Sequence, residues 1–353
     1  MKKTYGIVLI GCGHIGESHI EDIYYRDGIR IAGVVDLVEK QAQAFARKYG
    51  ALSYGTDYRP YLSREDVDIV IIATYAGSHF AILKDCLAAG KHVLCEKPMT
   101  AANFRDARRF YDLVKSSDPK VLIAHVLRHN LTYQRAAKLI QEGAIGDIRL
   151  IRMAQNHHTM EPKRYQALLH DCPPIVDCGV HYIDVIRWFT GLSITSISGV
   201  GTAIHTKAPI YDHGILTMTL SNGASAYYEA GWSKSMASEN LKEFIGTRGR
   251  IRITLKENRL FDREEGDLLE YYCADDGVYH TINIPSKYKN MWAQLLTLIE
   301  MIETGQEGSP TLDEAYEAFC IALLGDTAIR ENRTIPVPSS LADLSTALPP
   351  TVE

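Results

Sequence analysis

Tyr5-Gly6-Ile7-Val8-Leu9-Ile10-Gly11-Cys12-Gly13-His14-Ile15-Gly16 decides the fold of this chain. The unbroken apolar run over 7–10 suits a strand buried on both faces of a parallel sheet. Three glycines follow in G-x-G-x-x-G spacing, each with its own physical use. Gly11 permits a tight turn out of the strand, Gly13 lets a pyrophosphate approach the backbone, and Gly16 lets the next helix pack close to the sheet. A helix starting near Ile15 aims free N–H groups and its positive dipole end at phosphate oxygens. A second apolar run over 29–35 ends in Asp36, roughly twenty residues past Gly16, where a carboxylate can accept hydrogen bonds from a ribose 2′-hydroxyl. Strand, glycine turn, helix, strand and acid in that order predict a dinucleotide site. Asp36 also repels a 2′-phosphate, and Leu37 and Val38 supply no arginine or serine to receive one. NAD is therefore the expected cofactor and NADP is disfavoured, with Lys40 close enough in sequence to keep a 2′-phosphate in contention.

Working outward, helices are expected over 15–25, 37–49, 78–89 and 101–115. They alternate with apolar strands over 68–74, 92–95 and 121–124. Ser78 can cap its helix and Gly90 can end it. Such alternation predicts a doubly wound parallel sheet whose ligands lie outside the carboxyl ends of the strands. Thr74, Tyr75, His79, Glu96 and Lys97 all fall just past strand ends and join Gly11, Gly13, His14, Ile15, Gly16 and Asp36 as the expected cofactor-binding set.

Beyond residue 125 the pattern changes. A helix over 133–142 leads into period-two strands over 148–155, 194–204, 214–220, 224–232, 241–245, 250–255, 268–273 and 278–284. One helix over 175–189 interrupts them early. Helices over 291–303 and 313–330 and an extended tail over 334–353 close the chain. The fold expected is α/β. It has an N-terminal doubly wound parallel Rossmann sheet over 1–125 and a C-terminal α+β domain over 126–353 with a large, mostly antiparallel open sheet. The last helix and tail are candidates to pack back on the first domain. Helices are too few to cover both faces of the second sheet, and Tyr227, Tyr228, Tyr271 and Tyr272 put aromatics on both. An uncovered face of that kind suggests a homodimer or homotetramer.

Composition narrows the function class. The 353 residues are 46% hydrophobic and 23% charged, with a net charge of −5. No basic stripe or tail points to nucleic acid or an anionic membrane. No apolar run is long enough to span a bilayer, and the first strand begins where a signal peptide would lie, so a cytoplasmic protein is expected. The 7 cysteines are scattered and form no C-x-x-C, as for free thiols in a reducing compartment.

Two further stretches can carry chemistry. Glu96-Lys97-Pro98 puts a charged pair at the ligand edge of the first sheet, among apolar neighbours. Asp177-Cys178-Gly179-Val180-His181 places a carboxylate and an imidazole at i, i+4, on one face of the helix expected there. A histidine titrates near neutrality, so His181 can serve as a base.

Together with the fingerprint these stretches resemble the Gfo/Idh/MocA oxidoreductases, which include glucose-fructose oxidoreductase and inositol dehydrogenase. The resemblance covers Gly11-x-Gly13-x-x-Gly16, Asp36, Ala73-Thr74 through His79, and Gly90 through Glu96-Lys97-Pro98. It continues in Asp177-x-Gly179-x-His181 and Gly246-Thr-Arg-Gly249. It implies that Lys97, Asp177 and His181 meet at the substrate, with the histidine as acid/base and the other two binding hydroxyls. One departure is Tyr75, where the family often has proline. Oxidation of a secondary alcohol needs a hydride acceptor, which NAD supplies, a base, for which His181 is suited, and a cation for the developing alkoxide, for which Lys97 is suited.

Arg128, His158 and Tyr288 are the expected substrate-binding residues, since a mixed polar and aromatic lining suits a hydroxyl-rich sugar or polyol. No metal is expected, because His157, His158, His170, Asp171, Cys172, Asp177 and His181 crowd one region without a ligand motif. Two rivals to a dehydrogenase remain. One is a glycoside hydrolase or lyase that uses NAD as an internal redox relay; the other is a non-catalytic NAD-binding regulator.

Overall fold

The computed structural model describes residues 3–157, 162–254, 267–285 and 287–346, which divide into two compact units. The first unit comprises Met1–Ala101, Arg105–Val126 and Lys289–Tyr316. Its elements, in order, are β1 (Tyr5–Ile10), α1 (His14–Ile23), β2 (Ile29–Val35), α2 (Glu39–Tyr49), β3 (Tyr54–Gly55), α3 (Arg59–Leu62), β4 (Ile69–Ile72), α4 (Ala76–Ala88), β5 (His92–Glu96), α5 (Phe104–Lys115) and β6 (Val121–Ala124). The strands form a 6-stranded sheet in the order β3-β2-β1-β4-β5-β6, with every pair parallel. Chain order reverses between β1 and β4, which makes that crevice the topological switch point.

Burial explains the strands. Every residue of β1 and β4 is buried, and apolar side chains of this kind contribute about 1.5–3 kcal/mol each. Ile7, Leu9, Ile31, Val34, Ile69, Ile71 and Leu94 share one core with Ala42 and Phe45 of α2. That core also takes Leu295, Leu298 and Met301 from α10 (Met291–Thr304), which returns to this unit late in the chain. Two hydrogen bonds hold the return: the Trp292 N–H donates to Asp22 Oδ2 at 2.9 Å, and the Tyr5 hydroxyl donates to Glu303 Oε1 at 3.2 Å.

The second unit comprises Ala102–Phe104, Leu127–Tyr288 and Glu317–Glu353. A 3₁₀ turn (Val126–His129) precedes α6 (Leu131–Gln141) and β7 (Ile148–His157), followed by α7 (Pro162–Asp171), α8 (Pro174–Asp177) and α9 (Gly179–Thr190). Next come β8 (Ile194–Thr202), β9 (His213–Leu220), β10 (Ser225–Trp232), β11 (Glu239–Gly246), β12 (Gly249–Thr254), β13 (Leu268–Cys273) and β14 (Val278–Asn283). After α10, α11 (Leu312–Glu331), β15 (Ile335–Pro336) and α12 (Leu341–Thr346) end the described chain. The sheet has 9 strands, ordered β14-β13-β12-β11-β7-β10-β9-β8-β15. All its pairs are antiparallel except β7 with β10. Its inward residues, among them Ile197, Leu216, Met218, Tyr228, Phe244, Ile251 and Leu269, are buried.

Several expectations are corrected. The helix foreseen over 175–189 is interrupted at Cys178, giving α8 and α9. The tail, foreseen as extended, adds edge strand β15 against β8 and then the short α12. The helix foreseen from Ser78 starts at Ala76, and Ser78 lies inside its first turn, where its hydroxyl donates back to the Tyr75 carbonyl at 2.8 Å. A side chain turned back in this way caps no forward N–H.

Candidate functional site

In the first unit the glycine turn has the shape that its spacing foretold. Gly11 has φ +99°, a left-handed conformation that disfavours any side chain. A methyl group at Gly16 would lie 1.9 Å from the Gly11 carbonyl oxygen, so α1 packs as close as glycine allows. A methyl group at Gly13 would meet nothing within 4 Å, so this edge of the turn opens onto free space. Gly13 and His14 are exposed and Ile15 is half-buried, at the start of α1. Asp36 follows β2 and accepts hydrogen bonds from the Cys12 N–H at 2.9 Å and the Val38 N–H at 2.8 Å. Each carboxylate oxygen keeps a second lone pair for a ribose hydroxyl. Burial, and then the Asp36 charge, push the Cys12 thiol up to about 12, so Cys12 stays protonated beside this turn. These features fit a dinucleotide: room at Gly13, the N-terminus of α1 beside it and a ribose acceptor.

The β4 and β5 ends join this edge. Thr74 Oγ1 lies 2.7 Å from Ser78 Oγ, and Tyr75 is exposed. His79 is buried, with Nδ1 2.9 Å from the Pro98 carbonyl oxygen and Nε2 3.1 Å from that of Thr74. Its ring therefore ties one strand end to the next. Glu96 is buried and Lys97 half-buried at the end of β5. Glu96 Oε1 accepts from His19 Nε2 at 2.7 Å, and its Oε2 accepts from the Lys97 N–H at 3.3 Å. Burial raises the Glu96 carboxyl, but the His19 hydrogen bond and the charges of His19, Lys97 and Lys289 outweigh it and leave it below the usual range.

In the second unit Asp177 closes α8 and His181 stands in the first turn of α9, both half-buried. The His181 N–H donates to the Cys178 carbonyl at 3.1 Å, an i to i−3 bond that tightens the start of α9. Arg128, expected at the substrate, is turned inward. It is buried, with Nε and Nη2 donating to both oxygens of Asp184 on α9 at 2.9 and 2.6 Å, and its guanidinium lies over Trp188. His158 lies outside the described residues. Tyr288 is held through its carbonyl, which accepts from Asn130 Nδ2 at 3.1 Å. Burial and the Asp267 charge push its phenol well above the usual range, against the hydrogen bonds of Asn240 and Tyr133.

Tyr288 belongs to a buried polar cluster that sequence reasoning missed. Asn130 caps α6, accepting from the N–H groups of Thr132 and Tyr133, and also donates to Asp267 Oδ2 at 3.2 Å. The Tyr182 hydroxyl, one residue after His181, donates to Asn240 Oδ1 at 3.4 Å. Lys242, only 1% exposed, points its ammonium over the Tyr182 ring at 5.5 Å. Burial pulls Lys242 down to about 7 although Asp267 opposes this, and burial likewise raises Asp267. Lys242 alternates inward with Asn240 and Phe244 on β11, so a lysine at an inward strand position was the available signal.

Lys242 has a measurable consequence. Between about pH 7 and 10.5 the unfolded chain carries the Lys242 proton and the folded chain does not, so stability should rise with pH across that window. Below pH 7 the folded chain buries the charge at full cost. Lys242→Met should flatten that rise, since the substituted side chain has no proton to release on folding. Urea midpoints that run parallel for the two proteins from pH 6 to 10 would contradict this reading.

Among the described residues no cluster of three or more His, Cys, Asp or Glu side chains could hold a metal ion, and no helix is long and apolar enough to cross a membrane.

Comparison with known proteins gives concordant results. The family model described as an oxidoreductase family with an NAD-binding Rossmann fold matches residues 5–125. The GFO/IDH/MocA C-terminal domain matches residues 133–252. Myo-inositol 2-dehydrogenase of Thermotoga maritima is 21% identical over 334 residues, covering 93% of this chain and 97% of its own. Scyllo-inositol dehydrogenase of Lactobacillus casei, solved with NAD(H) and scyllo-inositol, superposes with TM-score 0.75 at 22% identity, over 95% of this chain and 99% of that one. Aldose-aldose oxidoreductase of Caulobacter crescentus, solved with glycerol, superposes with TM-score 0.82 at 22% identity, over 95% and 100%. The two structures share this fold.

Proposed function

This chain belongs to the Gfo/Idh/MocA oxidoreductase family, and we propose that it interconverts a secondary hydroxyl and a ketone on a sugar, polyol or glycoside, with NAD as the preferred hydride carrier. The observation that carries this reading is the glycine turn, open at Gly13 and backed by the Asp36 carboxylate, in a chain that also has Lys97, Asp177 and His181. Bound NAD supplies a hydride acceptor at nicotinamide C4. His181 takes the hydroxyl proton in the oxidative direction and returns it in the reductive one. Lys97 stabilises negative charge growing on the substrate oxygen, and Asp177 orients the hydroxyl and the imidazole. Incubation with NAD and a panel of inositols, hexoses, glycosides and nucleotide sugars tests the proposal. At least one member should yield NADH in proportion to ketone formed. If a glycoside is cleaved and no NADH accumulates, the internal relay is the better reading. If NAD binds but nothing in the panel reacts, a regulator is.

NAD over NADP follows from charge. Asp36 would face a 2′-phosphate, and the neighbouring Leu37 is 92% exposed and apolar. Asp36→Ser removes a charged hydrogen bond to the ribose, so the NAD-to-NADP preference should fall by roughly 10–100-fold. Paired kcat/KM values for the two cofactors measure it, and an unchanged ratio would remove Asp36 from cofactor choice.

A second copy of this chain is the expected partner of the open face of the 9-stranded sheet. Register places Ser198, Thr217, Tyr227, Arg152, Glu243, Arg252 and Glu270 in one row across that face. Alternating charges flanked by exposed Val200 and Ile215 favour a self-complementary contact. Light scattering should give at least twice the single-chain mass, and Ile215→Asp should lower it. A single-chain mass for the unaltered protein would contradict this.

A further inference from the structure

Lys97 sits between two residues that are each held by a buried histidine. On one side, the Glu96 carboxylate bridges α1 and the Lys97 backbone. Its Oε1 accepts from His19 Nε2 at 2.7 Å and its Oε2 from the Lys97 N–H at 3.3 Å. On the other side, the Pro98 carbonyl lies 2.9 Å from His79 Nδ1, whose ring also reaches the Thr74 carbonyl at the end of β4. Both histidines are essentially fully buried, so neither ring is open to solvent or to a ligand. His19 is one helical turn past Gly16, on the helix whose first N–H groups border the open Gly13 turn. β5 is not a neighbour of β1 in the sheet; β4 lies between them. The His19–Glu96 bond thus spans a strand to connect the dinucleotide helix with the lysine.

We propose that His19 and His79 are positioning residues for Lys97, and that the His19–Glu96 bond couples an occupied α1 N-terminus to the placement of the lysine. This rests on the reading of Lys97 as a group that acts on the substrate oxygen. The chemistry favours the pair for this purpose. A charge-assisted hydrogen bond between buried partners is short and directional, and its length leaves little freedom to the peptide that precedes Lys97. His19 Nδ1 has no hydrogen-bond partner among the described residues, so Nε2 is the nitrogen that commits this ring, and it commits it to Glu96. Removing the ring leaves a buried carboxylate with one acceptor unfilled, free to turn and release the Lys97 N–H.

The test uses the full-length protein with His19→Ala, His19→Gln and Glu96→Gln. Two readouts require no substrate. One is the affinity for NAD and NADH by fluorescence titration. The other is the acylation rate of Lys97 by an amine-selective reagent, mapped by peptide mass spectrometry against exposed Lys138, with and without NAD. In the unaltered protein NAD should change the relative rate at Lys97. In His19→Ala that response should vanish while NAD affinity stays within about 3-fold, and His19→Gln, which retains a donor, should restore part of it. With a substrate from the panel, kcat should fall by about 10²-fold at nearly constant KM, the scale of a misplacement near 1 Å. If His19→Ala fails to fold, His19→Gln and Glu96→Gln carry the same labelling comparison. Labelling of Lys97 that keeps its full NAD response in all folded variants overturns the proposal, since a purely structural pair would alter melting temperature alone. Because labelling needs no turnover, that result is distinct from failure of the dehydrogenase reading, in which no panel member reduces NAD.

Discussion

Replacement of His181 by alanine is expected to lower turnover by about 10²–10⁴-fold while NAD binding is retained. His181 is half-buried in the first turn of α9. The buried face of that helix is built from Val180, Tyr182, Ile183, Val185, Ile186 and Phe189, so truncation at 181 leaves its packing in place. The dinucleotide features all belong to the first unit, which predicts an NADH titration little changed by the substitution. The loss should fall on kcat and kcat/KM together, as for a group whose contribution arises in the transition state. Turnover equal to that of the unaltered protein would remove His181 from the chemistry.

Lys97→Met is the second large effect, about 10²–10³-fold in kcat, the range for loss of one charge stabiliser at a developing oxyanion. Methionine keeps an unbranched stem and deletes only the ammonium. Lys97 is half-buried between two pinned neighbours, so the substitution leaves the Glu96 and Pro98 contacts intact. A rise in KM with kcat unchanged would mean that Lys97 binds ground state and transition state alike, and it would then be a binding residue without a part in the chemical step.

Much of the fold could be read from the sequence because its signals are local. The apolar runs at β1, β2 and β4, and the glycine turn between the first two, are continuous segments whose period and spacing need no tertiary partner. The alternation of β9 is equally direct, with buried and exposed residues in strict succession. Short pieces escaped: β3 has 2 residues and α3 has 4, too few to set up a period. Partners distant in sequence escaped as well. The tie of Arg128 to Asp184 left no signal, because Asp184 comes 56 residues later. His19 drew no attention because its partner is 77 residues on, beyond three intervening strands of chain. Lys242 was passed over because a strand is scanned for its apolar positions, and a charged residue at an inward one breaks the pattern that identifies the strand. The break at Cys178 left no trace either, since its backbone stays in the right-handed helical region (φ −84°, ψ −35°) and only the hydrogen-bond pattern changes.

The central claim is that a hydride passes directly from a substrate carbon to NAD. Its most direct test takes whichever panel member reduces NAD, prepared with deuterium at the carbon that becomes the ketone. Direct transfer predicts NADH that accumulates with one deuterium at nicotinamide C4, and a ketone that has lost it. NADH that accumulates without deuterium, the label having gone to solvent, would contradict it.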